Sequence, residues 1–493
     1  MPQGFVKPAL SRVLGNRPNF TALVMLCVGA VVLFLPLSLR DADTWWHMAA
    51  GQWMMAHHTV PMTDPFTRSV AGHPWLDHEW LAEVVLAAAY ALAGYLGLTL
   101  LTAAAVALAM GCIARRLSQC VALPVCVLVC SLAFVCMIPQ ILARPHILVL
   151  PILTWWSSLL LRAMDDNTPP PLWTALALVP WCNMHGSFVL GGIMALGCAV
   201  VQVARQHTLA NAGRWAMFLL LCLVAVCINP SGVHGAFFPL DHLLHPMRYQ
   251  GVREWLPPDF SRLQPIEVAL LVLLYASLTR SIVLSRSAAL AVVCLGYEAI
   301  THQRHELVAG AVGPFLLLPA LRRSFPSVSQ GGAVQGGRSV WLRVCGVLVL
   351  ALGVLGLRVR FPLPVSPVGG AEVALQHVPP ALQAQPVFND DTLGGYLIFR
   401  HIPPLLDGRA ELFPQAFRLS MFDALLGHDA DFNTIARQYA VCWTFAAPAW
   451  PLNAHLAQDP AWERLYTDHF ATVYARKACL PAPMQQGADT PTP

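Results

Sequence analysis

Apolar runs separated by short polar turns fill the first 360 positions of the chain. A helix that crosses a hydrocarbon core needs roughly 17 to 25 mostly apolar residues. On that measure the pattern predicts about eleven spans, at 20–39, 96–113, 121–138, 146–161, 172–183, 188–204, 215–228, 266–278, 282–300, 307–321 and 340–357. Several of these runs are short or interrupted, and a Gly/Ser-rich linker, SVSQGGAVQGG, precedes the last. The first is too long for a cleaved signal peptide and no small-residue cleavage site follows it, so it is expected to stay as an anchor.

Two stretches break this pattern. Between 40 and 95 the chain is amphipathic: TWWHMAAGQWMMAHH sets Trp45, Trp46, Met48 and Trp53 at helical spacings beside polar residues, which predicts an interfacial helix. A second helix is expected to begin near Asp77. From 361 onward the sequence is less apolar, and short β-like runs (PVFN, PLLD, YAVCWTF, FATVYAR) alternate with helix-like segments such as 415–426. The predicted architecture is an all-α polytopic membrane bundle followed by a small extracytoplasmic α/β domain. Its divisions are a cytoplasmic N-terminus at 1–19, a transmembrane domain at 20–360 with a long first loop at 40–95, an α/β domain at 361–480 and a disordered tail at 481–493.

Composition agrees with a bilayer as the main solvent: 56% of the 493 residues are hydrophobic and 11% charged, and the mean hydropathy is +0.57. The net charge of +4 is spread through loops without a basic block, which argues against nucleic acid as a partner. Of the fourteen cysteines, most lie inside apolar runs without zinc-type spacing and read as small hydrophobes. Cys442 and Cys479 are the pair in the tail that an oxidising compartment would allow to bridge, although spacing does not settle the pairing.

Counting spans alternately from a cytoplasmic N-terminus with Lys7, Arg12 and Arg17 puts Arg115, Arg116, Arg162, Arg205, Arg214, Arg280, Arg286, Arg322, Arg323, Arg338 and Arg343 inside. This is the positive-inside pattern. The same count sends the unusual polar clusters outside. Asp41, Asp43 and His47 of DADTWWH stand where the chain leaves the first span; a carboxylate at that depth must pair, take a proton or bind a cation. Asp43, nearest the bulky aromatics, is the first candidate for a base or metal ligand, whereas Asp41 also reads as an acid that merely ends a helix.

Downstream, PMTDPFTRSVAGHPWLDHEWLAE adds Asp64, His73, Asp77, His78, Glu79 and Glu83. His57, His58, His73 and His78 match no zinc signature, so the metal question stays open. ILARPHI offers Arg144 and His146, where arginine's planar fork suits a lipid phosphate. PWCNMHGSF interrupts two spans at Asn183, His185 and Gly186, as backbone lining a cavity does. VREWLPPDF carries Arg253 and Glu254, and THQRHE carries Arg304 and His305. In LLDGRAE, Asp407 and Arg409 would either touch an acceptor or form an ion pair, and Gly394, Gly395 and Gly408 read as turn glycines.

DADTWWHMAAGQW, TDPF and GHPWLDHEWLAE resemble the first extracytoplasmic loop of bacterial membrane proteins related to the GT-C glycosyltransferases, the group that includes oligosaccharyltransferases and protein mannosyltransferases. ARPH, WCNMHGSF, INPSG, EWLPPDF and RHE are similar to that group's loop signatures, and GGYLIF with LLDGRAELF resembles its C-terminal domain, so the likeness covers residues 20–476. The resemblance implies a bacterial inner-membrane enzyme, inverting at the sugar, that moves a sugar from a polyprenyl-phosphate donor to a lipid or glycan acceptor of the envelope. It implies Asp43, assisted by Asp41, as base or ligand of a divalent cation such as Mg or Mn, and Arg144, Arg253 and Arg304 as the phosphate holders. The WWDYG motif of oligosaccharyltransferases is absent, which argues against asparagine-linked transfer. Other readings are a lipid-linked glycan polymerase or ligase, a carrier or flippase, and a non-catalytic assembly protein. A carrier would show internal repeats and charges at mid-span.

Overall fold

A computed structural model describes residues 17–35, 41–244, 253–279, 281–327, 352–360 and 368–481. The expected N-terminal basic residues up to 16, the Gly/Ser linker, most of the last predicted span and the tail from 482 lie outside the described residues. The chain divides into two compact units: one takes in Met1–Ser38, Leu96–Leu244 and Gln250–Leu363, the other Leu39–Tyr95, His245–Tyr249 and Pro364–Pro493.

The first unit is helical. Among the described residues, five helices are long and apolar enough to cross a membrane: Trp80–Ser118, Leu123–Gln140, Phe188–Gln206, Leu209–Val226 and Gln303–Ser324. Asn19–Phe34, Leu172–Met184 and Pro265–Leu278 are shorter apolar helices. The packed centre contains Trp156, Trp181, Trp215 and Phe218, while Ile193, Leu196, Val200, Leu220 and Leu223 are exposed. Bare apolar side chains on helices of this composition fit a lipid solvent and make this a membrane protein. Two expectations need correcting. The run at 172–183 begins as a 3-10 helix, Leu172–Ala177, before Leu178–Met184 turns α-helical, and a helix, Gly232–Leu244, occupies what read as loop.

Ion pairs collect at opposite ends of the same helices. Asp165, near the end of Leu150–Asp166, pairs with Arg116 at 3.0 Å and takes a two-pronged contact from Arg322 at 3.1 and 2.9 Å. Arg144 precedes the first turn leading into that helix, and Arg304 stands just before Glu306–Ser324. Seventeen helical residues span about 25 Å, so the two sets of charges sit at different depths.

The second unit is α/β. Strands β1 (Val387–Asn389), β2 (Trp443–Ala446), β3 (Trp462–Thr467) and β4 (Thr472–Arg476) form one sheet in the order β1-β2-β4-β3. β1 and β2 run parallel and the other neighbours antiparallel. The helices Asp391–Phe399, Gln415–Leu425 and Asp429–Gln438 lie between β1 and β2 in the chain, as a parallel crossover requires. A Cys442–Cys479 disulfide ties the start of β2 to the turn after β4. PLLD is not a strand: Asn389 takes the strand partner's place, accepting from Leu405 N at 3.0 Å and donating to Leu406 O at 2.7 Å.

Residues 40–95, expected as a loop of the helical domain, group with this α/β unit. The Asp43–His57 helix forms as predicted. Its apolar side chains are sealed in protein instead of lying in a membrane interface: Trp45 and Met48 are fully buried, and Trp45 meets Tyr396 and Phe399 edge-on at 5.5 and 5.3 Å. The next helix starts at Trp80 and is broken at Ala93 and Gly94, where Gly94 has φ +56, a value open to glycine at little cost.

Candidate functional site

Asp41 starts a helix. Its Oδ2 accepts from the backbone N–H of Asp43 and of Thr44, both at 3.1 Å, and so satisfies two of the donors that every helix N-terminus leaves over. Asp43 follows in the first turn, half-buried, where a negative charge has the favourable sign for the helix dipole. Its carboxylate rests on Gly408: a Cβ there would fall 1.8 Å from Asp43 Oδ1.

Close approach is therefore what Gly408 provides, and the turn reading is corrected. The same holds for the helical Gly394 and Gly395, where a Cβ would fall 2.0 Å from Leu406 O and 2.6 Å from Ala42 O. These glycines let the 391–399 helix and the DGR segment seat against the start of the Asp43 helix. Glu411 also lies within the field of Asp43. Burial pushes its carboxyl up to about 7, Arg409 opposes this, and Asp407 and Asp43 add to it.

Arg409 is the hub behind this surface. It donates from Nε and Nη2 to the two oxygens of Asp407 at 3.0 and 2.7 Å, and from Nη1 to Asp64 at 2.8 Å. Its guanidinium carbon lies 4.6 Å from the Trp75 ring centre and 5.4 Å from that of Phe66. All three charged side chains are sealed from solvent. Burial works against the charge of Arg409, and Asp407 and Asp64 more than reverse this, raising its pKa. Asp64 also holds its own turn by accepting from Phe66 N at 3.3 Å and Thr67 N at 3.0 Å. Of the two readings of Asp407 and Arg409, acceptor contact or an ion pair, the structure has the ion pair, and Asp64, a candidate for substrate contact, joins it.

His47 is equally enclosed. Its Nδ1 is 2.8 Å from Glu83 Oε1 and its Nε2 3.8 Å from Glu79 Oε2, with His78 3.7 Å from Glu79 on the other side. Asp77 bonds side chain to side chain with Glu83, and burial raises its pKa against that bond. Asp77 Oδ2 and Glu83 Oε2 are buried, and no donor reaches either among the described residues. His57, His58 and His73 are exposed, and His57 meets the carbonyl of Trp53 at 2.8 Å.

In the helical unit the basic candidates converge. Arg144 donates to Glu254 at 3.1 Å. Burial alone would raise Glu254, but Arg144, then Arg304 and His146, hold it down to about 2. His146 meets the carbonyl of Gln140 at 2.9 Å, and its ring centre is 6.1 Å from that of His185. His185 in turn lies 2.8 Å from Ser187 Oγ. Arg304 stacks over Trp255 at 4.5 Å, and the His305 ring lies 6.1 Å from the same indole. Arg253 opens the 3-10 turn Arg253–Trp255, but its side chain lies outside the described residues.

Among the described residues, two groups place three metal-type ligand atoms within 4.8 Å of one another: Glu298, His302 and His305, and the more exposed Asp423, His428 and Asp431. Neither includes Asp41 or Asp43, and Asp41 Oδ2 is already taken by backbone donors. Among the described residues, no set of three such ligand atoms is assembled at DAD. Sequence reasoning missed Glu411, Glu298, His302 and Trp255. A pair of histidines three apart at a helix junction was the available sign for His302.

No family model matches the sequence, and no curated protein matches it. Solved structures do. ArnT from Cupriavidus metallidurans, bound to undecaprenyl phosphate, superposes with a TM-score of 0.51 at 14% identity over 93% of this chain and 98% of that one. The archaeal oligosaccharyltransferase AglB from Archaeoglobus fulgidus, in complex with an inhibitory peptide and a dolichol-phosphate, gives a TM-score of 0.45 at 10% identity over 94% and 75%. By its likeness to ArnT along almost the whole of both chains, this protein shares that structure's fold.

Proposed function

We propose that the protein is a membrane glycosyltransferase that moves a sugar from a polyprenyl-phosphate carrier to a lipid or glycan acceptor of the bacterial envelope. The observation that carries the reading is the gathering of Arg144, His146, His185, Glu254 and Arg304 in one cluster, together with a GT-C fold whose neighbour ArnT was solved with undecaprenyl phosphate bound. The chain would cross the inner membrane about eleven times, with Arg116, Asp165 and Arg322 at the cytoplasmic side and the α/β unit in the periplasm.

In this mechanism Arg304 and Arg144 take the donor's phosphate. Arg144 is already paired, so a phosphate gains its fork only by displacing Glu254, and Arg304 makes the first contact. Asp43 removes the proton from an acceptor hydroxyl as its oxygen attacks the anomeric carbon. The carbon–oxygen bond to phosphate breaks with inversion at carbon, and the polyprenyl phosphate departs with the electron pair. General-base help is worth roughly 10²- to 10⁴-fold, and charge stabilisation adds to it. Asp41 fixes the turn that presents Asp43, and the Arg409 hub fixes Gly408 beneath it.

The test is to incubate the purified protein in lipid nanodiscs with radiolabelled polyprenyl-phosphate sugars and an envelope lipid extract. Label appearing on an acceptor supports the proposal. Movement of the donor across the bilayer without transfer would replace it with a carrier.

A further inference from the structure

The helix Arg286–Thr301 ends beside a short 3-10 turn, Gln303–His305. That junction brings Glu298, one turn back from the helix end, against two imidazoles. Glu298 Oε2 is 3.0 Å from His305 Nδ1 and 3.4 Å from His302 Nδ1. His305 Nδ1 is itself buried, and the three ligand-type atoms all lie within 4.8 Å of one another. One carboxylate oxygen facing two imidazole nitrogens at these distances is the arrangement that ligands of a common ion adopt. With metal–ligand bonds of about 2.0–2.1 Å, neighbouring corners of a tetrahedron lie roughly 3.3 Å apart, which matches both separations.

We infer that Glu298, His302 and His305 form a binding site for one divalent transition ion of the zinc class. Two imidazole nitrogens and one carboxylate suit zinc or cobalt, whereas magnesium takes oxygen ligands and demands a near-ideal octahedron. Three protein ligands leave a position for water or an anionic oxygen. The side chains of Glu298, His302 and His305 are 47, 31 and 28% exposed, so an ion can enter from solvent. His302 Nδ1 also contacts Thr301 Oγ1 at 3.0 Å. That hydroxyl is 2.8 Å from the carbonyl of Tyr297 and can donate there when the nitrogen turns to a metal. Arg304 adds an opposing charge, and its guanidinium is engaged over Trp255. The inference is independent of the transferase proposal, since it concerns an ion and three ligands only.

Tag-free full-length protein, stripped with chelator, would be titrated with Co²⁺ and followed by its visible ligand-field bands, with zinc and magnesium as competitors and bound metal counted by elemental analysis. The inference predicts one equivalent of Co²⁺, displaced by zinc and not by magnesium. His302→Ala and His305→Ala should each weaken binding at least tenfold, whereas His428→Ala in the other cluster leaves it unchanged. Metal should also raise the melting temperature of the parent and not of these two variants. Should either alanine variant fail to fold, the isosteric Glu298→Gln takes its place. Absence of the bands, bands that survive all three substitutions, or equal competition by magnesium would overturn it.

Discussion

Replacing Arg409 with alanine removes the cation that pairs with both Asp407 and Asp64 in a site with no solvent at any of the three side chains. Breaking a buried ion pair from one side costs about 3–5 kcal/mol, because the abandoned charge stays buried. Here two carboxylates are abandoned, and the stack on Trp75, worth about 1–2 kcal/mol when desolvated, goes too. Together these come to roughly 4–7 kcal/mol, against a typical domain stability of about 5–15 kcal/mol. The α/β unit of Arg409→Ala should therefore melt well below that of the parent, and limited proteolysis should open residues 40–95 and the C-terminal segment together. Arg409→Lys should fall between the two, since an ammonium cannot reproduce the three-pronged contact. The charge-free triple variant Asp64→Asn, Asp407→Asn, Arg409→Met should be more stable than Arg409→Ala, because no buried charge is left unpaired. Thermal melting of full-length protein in detergent measures all three. The reasoning fails if Arg409→Ala melts with the parent, or if the triple variant is the worst.

Three other substitutions follow from the same geometry. Gly408→Ala puts a methyl 1.8 Å from Asp43 Oδ1; a contact of more than about 3 Å is needed, so the carboxylate must move by roughly 1 Å, and a transfer assay should lose on the order of 10²-fold. Undiminished transfer by a folded Gly408→Ala protein would contradict this. Glu411, raised in the folded state to about 7 from 4.5, contributes stability that is complete below pH 4.5 and lost as pH rises through 7. Melting temperature should drop across that window by the equivalent of roughly 2 kcal/mol after allowance for partial exposure, and Glu411→Gln should flatten the drop; an equal drop in the variant would dismiss the assignment. Arg304→Ala should weaken binding of undecaprenyl phosphate at least tenfold, as measured by scintillation proximity, and unchanged binding would remove Arg304 from the phosphate site.

The sequence showed the helical unit clearly because burial in lipid and burial in protein both demand apolar side chains, and long apolar runs such as 188–204 leave few alternatives. It also marked the charged residues that the structure gathers around Arg144 and Arg304. What stayed hidden was pairing across distance. The Asp407–Arg409 pair was one of two readings open to LLDGRAE, but nothing local in TDPF says that Asp64 meets Arg409 345 positions later, so Asp64 read as a functional group. Gly408 read as a turn because glycine serves both bends and close approaches, and only the packed Asp43 tells which. The strand at Trp462–Thr467 was missed because charged Glu463 and Arg464 break the apolar alternation at the sheet's edge, where charge is normal.

The central claim is that Asp43 serves the chemical step and the arginine cluster serves donor binding. The most direct measurement is a comparison of Asp43→Asn with the parent for transfer rate and for affinity toward the labelled polyprenyl-phosphate sugar, in the same nanodisc preparation. The account predicts a fall in rate of about 10² or more with affinity unchanged within a factor of about two. Transfer at the parent's rate, or a loss of rate explained wholly by lost affinity, would contradict it.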